Sequence, residues 1–184
     1  MTNLDRSNAI LAVIDVQERL MTVIHGAPEV DANVARLIRG CSVLGVPVVV
    51  TEQYPKGIGP TTAAVREAMF EAGVGEPLQK LCFSSFGSDE FAGALRRSGR
   101  RQVILCGVEA HVCVFQTCRD LLADGFEVFV AADATSSRTE RNHELAIRRM
   151  TSDGARLTTT EMALFEMTVA SGTDEFRAIS KLVK

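Results

Sequence analysis

Residues 102–113 read QVILCGVEAHVC. An apolar, β-branched run passes through one glycine into a segment of helical periodicity that reaches about Asp124, where Gly125 stops it. A strand apolar on both faces suits the interior of a parallel sheet covered by helices on each side. Working outward, comparable runs stand at 9–14 (AILAVI), 46–51 and 127–132, with weaker ones at 78–83 and 155–158. Between them the apolar spacing turns helical. Pro28 opens a helix whose stripe is Val30, Val34, Leu37, Cys41 and Leu44, with Gly45 past its end. Further helices are expected at 60–72, from Ser88 with Asp89 and Glu90 in the first turn, and at 140–153, 161–170 and 174–184. The alternation predicts βαβ units and an α/β fold with a six-stranded parallel sheet.

At 184 residues the chain is expected to form one domain over 1–184, burying roughly 70% of its unfolded surface without disulfides or metals. Hydrophobic residues make up 46% and charged residues 23%, which excludes disordered and fibrous classes. The first apolar run meets Asp15 too soon for a signal peptide or a membrane span. Five cysteines without paired spacing fit a reducing compartment, so a cytoplasmic protein with no membrane partner is expected. A net charge of −3 with interspersed signs gives no field that would draw nucleic acid. The one basic cluster, Arg96, Arg97, Arg100 and Arg101, reads as a solvated helix end.

In an open parallel sheet, ligands bind beyond the carboxyl ends of the strands, where the strand order reverses. That rule gathers Asp15 after the first strand, Glu52 after the second, Lys80 in the third and 107–113 after the fourth. The first strand runs into Asp15, Val16 and Gln17 instead of a glycine-rich turn, which disfavours a dinucleotide site. Cys113 falls at a helix start, where free N–H groups and the dipole favour an anion. With Lys80 nearby, its thiol is expected at a lowered pKa and as the most reactive of the five. Asp15 is placed to take the thiol proton on attack and return it to a leaving amine. Helix-start N–H groups are placed to hold an oxyanion. Cys41, Cys82 and Cys106 read as core residues, and Cys118, about 140° around the helix from Cys113, as structural.

The strings AVIDVQERL at 12–20, KLCFSSF at 80–86 and GVEAHVCV at 107–114 resemble the isochorismatase-like cysteine hydrolases in order and spacing. TEQYPKGIGP at 51–60 looks most like the isochorismatase-domain-containing subgroup. The resemblance implies a Rossmann-like three-layer fold with strand order 3-2-1-4-5-6. It implies a triad of Asp15, Lys80 and Cys113, a cis peptide between Val108 and Glu109, oxyanion donors at the backbone N–H of Glu109 and Cys113, and homo-oligomers. Isochorismatases proper generally lack the cysteine, so Cys113 points to hydrolysis of a small amide or related acyl compound through a thioester.

The expected partner is therefore a small-molecule substrate, with no cofactor. Gln17, Tyr54, Phe83, Phe86 and His111 are candidates for its pocket. Nicotinamidases of the same family carry an Asp and several His as a metal site near the second strand. Here that segment reads Thr51, Glu52, Gln53 and Tyr54, and His25, His111 and His143 lie far apart, so no metal is expected. The rival readings are a nicotinamidase-type amidase and a redox or ligand-sensing protein that keeps the fold without turnover. Homo-oligomerisation is also expected from 162–167 (MALFEM), apolar on more than one helical face.

Overall fold

The computed structural model describes residues 3–184. Six strands form its centre: β1 Ala9–Ile14, β2 Val48–Gln53, β3 Leu78–Lys80, β4 Gln102–Val108, β5 Glu127–Ser136 and β6 Arg156–Thr158. All pair in parallel, in the order β3-β2-β1-β4-β5-β6. The order reverses between β1 and β4, where Asp15 follows the end of β1 and the 109–113 segment follows the end of β4.

Among the described residues nine α-helices flank the sheet: α1 Glu18–Met21, α2 Ala27–Val43, α3 Pro55–Ile58, α4 Ala63–Glu71, α5 Asp89–Arg97, α6 Phe115–Ala123, α7 Glu140–Ser152, α8 Thr160–Thr168 and α9 Asp174–Leu182. Strand side chains alternate, so each sheet face has its own core. Leu11, Val13, Ile104, Cys106 and Ala131 meet α2, α4, α8 and α9, while Ile10, Ala12, Val103, Leu105 and Val130 meet α5, α6 and α7. These side chains are essentially excluded from water, each worth about 1.5–3 kcal/mol for the larger ones.

Three sequence expectations need correction. The second helix starts at Ala63, because a short helix and the turn before it occupy 55–62. Strand β3 stops at Lys80 and Cys82 is exposed, not core. Helix α8 turns Ala163, Leu164 and Met167 inward, with Leu164 lying against Gly40 of α2 and Phe165 against Phe176 of α9. Much of its apolar surface is therefore covered within the chain, although Met162 stays exposed, so the helix gives a weaker argument for a second copy. Three of the four clustered arginines are engaged locally. Arg96 pairs with Asp124, Arg100 donates to the carbonyls of Arg6 and Ala9, and Arg101 lies over Phe126.

Candidate active site

Strand β1 delivers Asp15 beyond its last residue with φ 53, a left-handed conformation that a short acidic side chain tolerates. Its N–H donates to the Thr51 carbonyl, and the Thr51 hydroxyl donates to Oδ1 at 2.8 Å. Beside it the chain needs Gly107. A Cβ there would stand 2.1 Å from the Ile14 carbonyl oxygen, and φ is +110, so β4 passes too close to β1 for any side chain.

Lys80, at the end of β3, is buried with Asp15. Its Nζ donates to Asp15 Oδ2 at 2.6 Å and to Gln53 Oε1 at 2.8 Å, with the carbonyls of Cys82 and Phe83 each at 3.2 Å. That ring of oxygens explains why β3 ends where it does. The chain turns its carbonyls inward to the ammonium, and Leu81, Cys82 and Phe83 point out.

Cys113 lies in a wide π turn, Ala110–Val114, that opens α6 after the cis peptide joining Val108 to Glu109. It is 6% exposed, packed among the apolar side chains of the α5–α7 face, and within electrostatic reach of Asp15 and Lys80. Burial pushes its thiol up to about 12, and the Asp15 charge adds to this while Lys80 opposes it. This corrects the expectation of a lowered pKa, because the helix start is buried and faces a carboxylate as well as a cation. Burial likewise raises the Asp15 carboxyl, against Lys80, Thr51 and Cys113, which stabilise its charged form. The pair of groups suits proton exchange more than a standing thiolate.

The Glu109 carbonyl accepts from the N–H groups of Val112 and Val114, and its carboxylate accepts from Arg138 Nε at 2.9 Å and from the Arg138 N–H. Of the pocket candidates, Gln17 is packed, not presented to a ligand. It is fully buried, with Nε2 donating to the carbonyls of Gln53 and Gly59 and Oε1 accepting from the Gln53 N–H. Phe86 is also packed, edge-on to Phe126 with Arg96 over its ring. Tyr54 is half exposed and lines a cavity of about 330 Å³ with Lys56, Lys80 and Leu81. Phe83, three residues past Lys80, is exposed and does not line that cavity. His111 lines a separate cavity of about 530 Å³ with Phe115, Leu145 and Arg149, its Nδ1 3.0 Å from Ser137 Oγ.

Glu52 points to the opposite face of β2, where Oε1 accepts from the N–H and hydroxyl of Thr61. Among the described residues no three His, Cys, Asp or Glu side chains are grouped to hold a metal ion. Sequence reasoning missed Thr51 and Gln53 as members of the site. Their period-two spacing was the available signal, concealed because β2 was expected to end at 51.

Fold and edge together define an open, doubly wound α/β protein with a buried acid–lysine pair and a cysteine at its switch point. The chain belongs to the isochorismatase family, a family whose members are generally hydrolases: residues 9–162 match the Isochorismatase domain. It is 36% identical to the secreted isochorismatase effector Isc1 of Phytophthora sojae, over 96% of this chain and 85% of that one. It is 35% identical to isochorismatase domain-containing protein 2 of Danio rerio, over 98% and 89%. The structure of the MAR1 ribonuclease from Caenorhabditis elegans superposes with a TM-score of 0.90 at 35% identity, covering 99% of this chain and 92% of that one. Among the described residues no helix is long and apolar enough to cross a membrane.

Proposed function

We propose that this chain hydrolyses a small amide or related acyl compound through a thioester on Cys113. The observation that carries the reading is the buried Asp15–Lys80 pair at 2.6 Å with the buried Cys113 thiol within electrostatic reach of both charges. As Sγ attacks the carbonyl carbon, Asp15 takes the thiol proton, so no free thiolate need persist. The N–H groups of Glu109 and Cys113 hold the oxyanion of the tetrahedral intermediate. Asp15 then returns the proton to the leaving amine as the C–N bond breaks. Water attacks the thioester with Asp15 again as base, releasing the acid and the thiol. Lys80 keeps Asp15 aligned and offsets negative charge as sulfur loses its proton.

The test is a screen of small amides, esters and thioesters against wild type and Cys113→Ala. A substrate turned over by the wild type and not by the variant, with an acyl adduct of Cys113 seen by mass spectrometry, supports the reading. Turnover retained by Cys113→Ala overturns it. RNA belongs in the same screen because the worm neighbour is named a ribonuclease. The net charge of −3 and the engaged arginines weigh against a polyanion here. We also propose a homo-oligomer, supported by the exposed apolar side chains of Tyr54, Leu81 and Phe83 near the site. A monomeric mass by light scattering at micromolar concentration removes it.

A further inference from the structure

We infer that Gln53 is the positioning residue that sets how Lys80 acts on Cys113, an inference that rests on the roles proposed above for Lys80 and Cys113. Gln53 holds Lys80 directly and also holds the turn that follows it. Its Oε1 accepts from Nζ at 2.8 Å, and its Nε2 donates to the Leu81 carbonyl at 2.8 Å, fixing the turn that supplies the Cys82 and Phe83 carbonyls. Gln53 is itself immobilised through its backbone, whose N–H and carbonyl both bond the Gln17 amide. The three protons of the ammonium are therefore shared among Asp15, Gln53 and two loop carbonyls, and Gln53 both accepts one of them and holds the turn that carries those carbonyls.

The residue type matters as much as the place. Asp15 already balances the charge of Lys80. A carboxylate at position 53 would leave a net negative charge beside a thiol that must lose a proton, whereas an amide accepts the hydrogen bond and adds no charge. Glutamine also carries the donor that holds Leu81. Gln53 makes no contact of its own with Cys113 that the arrangement needs, so its influence passes through Lys80.

The test reads Cys113 alkylation by iodoacetamide, mapped by mass spectrometry from pH 7 to 10, and needs no substrate. Gln53→Leu is expected to slow alkylation of Cys113 about tenfold across that range, the size of one lost hydrogen bond to a charged group. Lys80→Ala should slow it as well, and Gln53→Leu added to Lys80→Ala should change nothing further, since a residue acting through another is non-additive with it. If Lys80→Ala slows alkylation and Gln53→Leu does not, or if the two effects multiply, the inference fails while the proposed function stands. If Lys80→Ala leaves the rate unchanged, the proposed role of Lys80 fails and the inference with it. Should Gln53→Leu not fold, Gln53→Met, which keeps the length of the side chain without its amide, serves in the same comparison.

Discussion

Replacing Lys80 by methionine leaves Asp15, 0% exposed, without its cation. Removing one partner of a buried ion pair destabilises by about 3–5 kcal/mol, a large share of the roughly 5–15 kcal/mol that holds a domain. For a chain of this size that corresponds to a Tm lower by roughly 6–20 °C. The loss has two parts. One is the stranding of Gln53 Oε1 and the carbonyls of Cys82 and Phe83, which does not titrate. The other belongs to Asp15 and depends on pH. Burial already raises its pKa with Lys80 present, and without the cation the folded value rises further. The folded variant then binds more protons than the unfolded chain, so stability is retained below the ordinary carboxylate pKa and is lost as pH rises through the folded value. Thermal melts of wild type and Lys80→Met from pH 4 to pH 8 should therefore diverge with rising pH. The double variant Asp15→Asn/Lys80→Met should regain the titrating part and keep a flat deficit. A deficit independent of pH, or a double variant no more stable than Lys80→Met at pH 8, would refute the assignment of a charged pair.

Asp15→Asn removes the charge that helps hold the Cys113 thiol up near 12, so iodoacetamide should label Cys113 faster in that variant while amide turnover falls by about 10²–10⁴-fold; faster turnover, or slower labelling, contradicts the role of base. In the wild type the exposed Cys82 should be labelled before Cys113, and Cys113 labelling should climb about tenfold per pH unit with no plateau near neutrality. Gly107→Ala should cost more than about 4 kcal/mol or prevent folding, because its Cβ meets the Ile14 backbone and not a side chain that can yield; a soluble variant with the wild-type Tm would show that β1 and β4 do not approach this closely. A strong chelator should leave hydrolysis intact and nicotinamide should be a poor substrate, since Glu52 is engaged by Thr61 and Gln53 by Lys80 and Leu81; activity lost and restored by zinc points instead to a nicotinamidase.

The sequence by itself determined the sheet. Four apolar runs and their intervening periodic segments are local signals, legible because a buried parallel strand must be apolar on both faces, and β1 begins and ends where its composition does. What escaped reading lies at the strand ends. Gln53 and Ser136 extend β2 and β5 past their apolar stretches, where backbone pairing continues although the side chains turn polar, and Val108 carries β4 on past Gly107. The strings 12–20, 80–86 and 107–114 placed Asp15, Lys80 and Cys113 on one edge, yet nothing local showed that Lys80 would draw two carbonyls inward and so end β3 and expose Cys82. Nor does a helix start reveal its surroundings. The dipole favours a thiolate at Cys113, but the pKa is decided by burial and by the carboxylate that β1 brings from almost a hundred residues away, because desolvation and charge are properties of neighbours in space and only the folded chain supplies them.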